Sequence, residues 1–139
     1  MPNGLELIER LWVTEDWELA RQVLLEAEEL RESRNEIEDE FNVDLEDLVS
    51  VIDLPDATLR KLKERILFTI EDHVRGFNEV LYQRVCIELD YCNRRNDPTI
   101  ELLEFLTNAL DFLVTAGLIS LLALLLKRGY FDKLCQCPP

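Results

Sequence analysis

The sequence predicts an all-α protein, a helical bundle of about four to five helices with one or two of them long. Three observations carry that expectation. Apolar residues recur at three- and four-residue spacing through most of the chain. Gly and Pro number only four and five, in a chain rich in Leu, Glu and Arg, which favours helix over turn and strand. No run alternates apolar and polar residues long enough to mark a strand. At 139 residues, one domain over 1–139 is expected, with a core that needs neither disulfide nor metal and a short flexible tail over about 132–139.

The elements follow in order. Leu5, Ile8 and Trp12 recur at helical spacing and predict a short first helix. Thr14 offers an N-cap, with Glu15 and Asp16 in the following first turn. Trp17, Ala20, Leu24, Ala27, Leu30, Ile37 and Phe41 then form a narrow stripe on one long charged helix, about 15–41, interrupted by Arg34. Such a stripe packs on one neighbour, as a coiled-coil seam does. Asn42 ends this helix, and Val43, Leu45, Leu48, Val49 and Ile52 predict one or two helical turns before a connection at 53–55.

Leu59, Leu62, Ile66, Ile70, Phe77, Leu81 and Val85 hold the helical period over about 56–94. A straight helix of that length spans about 57 Å, more than the diameter of a compact domain of this size. Either the chain bends, with Gly76 as the weak point, or the helix projects into a second subunit. Asp97 and Pro98 open the last long helix, which runs to 127 or 128, with Gly129 just after its end.

Between Asp111 and Lys127 lie fifteen residues without a charge. They cover about 22 Å as helix, against roughly 30 Å of hydrocarbon in a bilayer. Three readings stand: a buried core helix, a surface shared between subunits, or a membrane anchor near the C-terminus with Cys135 and Cys137 acylated. Length favours the core. Thr115, Gly117 and Ser120 would let neighbouring helices approach closely. A domain this small has few helices with which to surround an apolar one, which predicts a homo-oligomer, a dimer first, with long helices paired across a two-fold axis.

The formal net charge is −14, and the excess is local: between Glu15 and Asp47 there are fourteen acids and three bases. Nucleic-acid binding needs clustered Lys and Arg, so it is not expected, and an anionic membrane surface would repel most of the chain. The acidic segment reads as a solvated face or as a docking surface for a basic partner. The N-terminus lacks a basic region followed by a long apolar core, so a cytoplasmic protein with mostly reduced cysteines is expected.

Candidates for chemistry are few. His73 is the single histidine and reads as a partly buried side chain bonded to a chain carbonyl. Cys86 and Cys92 stand six apart, and Cys135 and Cys137 two apart; neither spacing matches a zinc site, and the pairs read as two buried thiols and two exposed tail thiols, unless the tail pair reaches back to form a metal or redox site. Glu26 with Glu29, and Glu36 with Asp39, repeat the three-residue spacing by which all-α hydrolases of nucleoside triphosphates hold magnesium. In that spacing alone the segment resembles that class; a facing second acid pair is not evident. These four are the weak metal candidates, and no cofactor is expected.

The reading that follows is a non-enzymatic interaction, assembly or adaptor protein that self-associates through long helices and presents an acidic face to protein partners. Its expected contact residues are Trp12, Trp17, Leu24, Leu30, Ile37, Leu118 and Leu122. Trp12 and Trp17 either mark a contact surface or staple the first helix to the second. The alternatives are a magnesium-dependent nucleoside triphosphate pyrophosphohydrolase-like enzyme and a C-terminally membrane-associated helical protein.

Overall fold

Ala27 leaves helical geometry with φ −87° and ψ 111°, and the long rod expected over 15–41 ends there. The computed structural model describes residues 13–49, 53–114 and 116–138. The expected first helix with Trp12 lies outside those residues, as do Ile52 and Thr115. Among the described residues the regular structure is wholly helical, as the periodicity predicts. Among the described residues the α-helices number eight rather than four to five: α1 (Asp16–Glu26), α2 (Arg31–Phe41), α3 (Asp56–Arg75), α4 (Asn78–Leu81), α5 (Tyr91–Arg94), α6 (Thr99–Ala109), α7 (Leu118–Lys127) and α8 (Tyr130–Leu134). Two 3₁₀ turns, Glu28–Leu30 and Asp47–Val49, and a π-helical segment, Tyr82–Glu88, complete them.

Each of the three long helices expected from the sequence is broken. After Ala27 a 3₁₀ turn redirects the chain so that α2 packs on α3 as well as on α1. The Arg34 guanidinium donates to the Leu25 carbonyl at 3.4 Å and occupies an acceptor that the break leaves open. The interruption of the apolar stripe at Arg34 is thus a side chain turned back to the end of α1. Glu26, Glu28, Glu29 and Glu32 crowd the same point, where like charges one turn apart would weaken a continuous helix.

The second long helix breaks at Gly76 and Phe77, as the bend expected at Gly76 requires. What remains of it, α3, has 20 residues and spans about 30 Å. Beyond α4 the chain widens into π-helix, closed by the Leu89 amide donating to the Arg84 carbonyl, and Asp90 turns it with φ 57°. The third expected helix splits into α6 and α7 across residues 110–117. Gly117 opens α7 with φ +75°, and a Cβ there would stand 3.3 Å from the Val23 Cα. Only glycine meets both the left-handed turn and the close approach to α1. Asn42, with φ 51°, ends α2 where the sequence puts the boundary.

The core answers the question raised by the Leu-rich stretch. α1 lies against α3 and α7 and buries Leu19, Ala20, Val23 and Leu24. α3 contributes Leu62, Ile66, Ile70 and Val74, and α7 contributes Leu121, Leu122, Leu124 and Leu125. Leu113, Val114 and residues 120–125 of the uncharged stretch are therefore core within one chain, while Phe112 and Ile119 face outward. Among the described residues no helix is long and apolar enough to cross a membrane. The basic end of α7 is tied down by charge: Lys127 pairs with Asp16 at 3.4 Å, and Arg128 pairs with Asp16 at 3.3 Å and with Glu71 at 2.5 Å.

Candidate functional site

α2 and α3 run antiparallel and leave a groove between them. Its floor is Leu30 and Ile37, both buried, and its walls are Ser33 and Glu36 from α2 and Arg65, Phe68, Thr69, Asp72 and His73 from α3. The cavity measures about 230 Å³. It continues along the pair to Glu40, Phe41, Lys61 and Glu64. Phe68 lines both parts and remains 51% exposed. On α3 the buried residues Leu62, Ile66 and Ile70 occupy one face; Lys61, Arg65, Phe68 and Asp72 follow one another at three- and four-residue steps on the opposite one. An aromatic ring thus sits in the middle of a charged surface.

The charges of the groove are partly matched within the chain. Arg65 pairs with Glu40 across it at 3.7 Å, and Arg75 pairs with Asp72 at 3.6 Å along α3. Both pairs are open to water and contribute little to stability. His73 is half-buried at one end, its ring edge-on to Phe77 at 5.4 Å and its Nε2 3.5 Å from the Leu113 carbonyl. That is the carbonyl contact expected for it, at the long limit of a hydrogen bond.

The four acids proposed as metal candidates do not converge. Glu26 ends α1, Glu29 lies in the 3₁₀ turn, and Glu36 and Asp39 lie on α2, all with exposed side chains. The break at Ala27 removes the one-turn relation of the first pair, and Glu36 faces Thr69 and His73 rather than a second acid pair. Among the described residues no group of three or more His, Cys, Asp or Glu side chains is placed to hold a metal ion.

The expected contact residues are mostly interior. Trp17, Leu24, Leu30, Ile37 and Leu122 are buried in the chain's own core, and Leu118 is half-buried against it. Trp17 donates from Nε1 to Glu15 at 2.6 Å, and the Lys63 ammonium lies 4.8 Å from its ring centre. These side chains hold α1, α2 and α7 to their neighbours, because the stripe on each helix faces the nearest apolar stripe in the same chain. Phe68 is the exposed aromatic that periodicity misses. Its signal is an aromatic off the apolar stripe, flanked by Arg65 and Asp72.

The cysteines overturn another expectation. All four are paired, Cys86 with Cys135 and Cys92 with Cys137, so none is a free thiol. Cys86 and Cys92 cannot share a face of one straight helix; the π-helical segment and the turn at Asp90 bring both to the C-terminal strand of chain. Within the stretch expected as a flexible tail, Cys135 and Cys137 are tied to Cys86 and Cys92 by these bridges. Around the bridges, Phe131 packs on Tyr91 with ring centres 5.6 Å apart, and Arg95 pairs with Asp132 at 3.4 Å. Burial, then the charge of Asp132 and a hydrogen bond to it, push the Tyr91 hydroxyl up from 10.0 to about 12, against a smaller opposing pull from Arg95. Burial also raises Tyr130, whose hydroxyl donates to Asn78. The mostly reduced cysteines expected to follow from a cytoplasmic location are not what this corner shows.

No protein-family model, curated protein or solved structure matches the chain.

Proposed function

We propose that this chain is an interaction and assembly protein that acts by protein–protein contact, without a catalytic centre of its own, through the face formed by α2 and α3. The observation that carries the reading is Phe68, half in solvent at the centre of a charged groove whose apolar floor is formed by Leu30 and Ile37. An aromatic anchor ringed by charges is how contact surfaces combine binding energy with register. The helices behind the groove are fixed to the core by Ile37, Ile66 and Ile70, so the face is presented on a rigid support. The acidic character of the segment from Glu15 to Asp47 favours contacts with basic surfaces. The working form is the oxidised chain; bridges of this kind persist in oxidising compartments and in intracellular proteins of hyperthermophiles.

A photo-cross-linking residue placed at Phe68, with the same residue at exposed Glu101 of α6 as the control, tests the proposal in cells that make the chain. A discrete protein adduct is expected at 68, not at 101, and it should disappear on Arg65→Glu while the melting temperature is kept. No adduct at 68, or the same adducts at both positions, would overturn the proposal.

A further inference from the structure

We propose that the cavity between α2 and α3 receives one arginine side chain of the partner, its guanidinium held by Glu36 and laid against Phe68; the inference rests on the reading of this face as a contact surface. The first observation is how the charges pair. Three carboxylates border the groove, Glu36, Glu40 and Asp72, and two guanidinium groups reach them. Glu40 takes Arg65 at 3.7 Å, and Asp72 takes Arg75 at 3.6 Å. Glu36 is left over: among the described residues no hydrogen bond or ion pair reaches its side chain. The surrounding α2 is acidic, so a cation meets a favourable field on approach.

The second observation is the hydrogen-bonding sense of the lining. The Thr69 hydroxyl donates to the Arg65 carbonyl at 2.8 Å, so its oxygen has lone pairs left to offer. A neutral His73 whose Nε2–H is directed at the Leu113 carbonyl keeps Nδ1 as an acceptor. Ionised Glu36 and Asp72 only accept. Arg65, the strong donor of the lining, is turned to Glu40. A guest rich in donors and positively charged answers such a lining. The third observation is size. At about 230 Å³ the cavity lies below the roughly 300–1,000 Å³ of sites for drug-sized ligands and suits a single side chain. Its floor of Leu30 and Ile37 matches a methylene stem, and the half-exposed Phe68 ring offers a cation its face. Arginine fits better than lysine, because a planar guanidinium stacks on a ring and spreads its donors over acceptors on both helices, whereas an ammonium is a compact, strongly hydrated charge. Arg65 serves the walls rather than the guest: reversing it to Glu would set two carboxylates against each other across the groove.

The test is an NMR titration of the full oxidised chain with N-acetyl-arginine amide at low salt, read at the Ser33, Thr69 and His73 resonances. Saturable shifts with a dissociation constant in the millimolar range are expected, as suits one side chain. The citrulline amide, close in shape but uncharged, is expected to give no saturable shift, and the lysine amide to bind at least ~3-fold more weakly than arginine. Glu36→Gln, an exposed change that should leave the helical spectrum unchanged, is expected to weaken arginine by at least ~5-fold. Glu101→Gln on α6 removes the same charge elsewhere and is expected to leave the affinity as it was. No saturable shift with arginine, citrulline binding equally, lysine binding as tightly, or Glu36→Gln and Glu101→Gln alike in effect would each overturn the proposal. A photo-adduct at Phe68 that survives Glu36→Gln would leave the contact face standing without its arginine, so the two proposals fail separately.

Discussion

At the C-terminal corner a five-residue helix is held by two disulfides, a buried ring pair and an ion pair. On the α2–α3 face, helices of 11 and 20 residues leave Phe68 half in water among exposed charges. The two regions differ in where their order comes from. A helix of five residues is far too short to persist alone, and α5 beside it has four. Their conformation has to be imposed by cross-links and by the burial of Phe131. α2 and α3 are anchored from behind by their own apolar stripes, so their outer faces are free to carry residues that stabilise nothing in the monomer. The corner is where the chain is closed, and the face is where it is open.

The comparison is tested most severely by removing the bridges. A loop of 49 residues closed by one disulfide stabilises by about 4 kcal/mol through the unfolded state. With that loop closed, the second bridge closes a ring of only about eight residues, worth about 2–3 kcal/mol. Replacing Cys92 and Cys137 by Ser should therefore cost about 2–3 kcal/mol, and replacing all four cysteines about 6 kcal/mol. Urea unfolding of the three proteins decides it. A single-bridge loss as large as the double would mean that the corner is held by something other than nested loop closure.

Next in size is Leu122→Ala. A fully buried Leu truncated in a packed core should cost about 2–5 kcal/mol. A loss under 1 kcal/mol would move α7 from the closed part of the molecule to the open part.

The corner should also respond to alkali. Tyr91 titrates near 10.0 in the unfolded chain and at about 12 in the folded one. Between those values the folded chain holds a proton that the unfolded chain has released, so stability falls as pH rises through that window. The loss should reach about 2–3 kcal/mol by its upper end, and Tyr91→Phe should flatten it. Raised Tyr130 adds a change of the same sign. A pH-independent stability over this range would show that Tyr91 is not enclosed as described.

The smallest effect is expected on the open face. Phe68→Ala should change monomer stability by no more than about 0.5 kcal/mol, as surface substitutions do. Measured as a melting curve at low concentration, a larger loss would make Phe68 a structural residue and remove the contrast.

Much of this was legible in the sequence, and the limits are physical. Helical periodicity and the scarcity of Gly and Pro are local properties, and they predict an all-helical chain correctly. Asn42 and Gly129 mark helix ends because left-handed backbone is written in residue type, and Gly76 marks the bend while keeping ordinary helical geometry. The burial of Leu121 to Leu125 could be argued from length, since 15 uncharged residues are too few to span a bilayer. The break at Ala27 could not, because an alanine gives no local reason to leave a helix; α2 turns away there to reach α3. Cys86 and Cys92 could not be matched to Cys135 and Cys137, because four cysteines admit three pairings and a sequence contains no distances. Nor could the interior fate of Leu24, Leu30 and Ile37, since a stripe does not say which surface it meets. Sequence alone determined which residues avoid water and where the backbone can turn. Only the tertiary structure decided which apolar stripes meet, which sulfurs pair, and that Phe68 is left outside, because those depend on contacts between residues far apart in the chain.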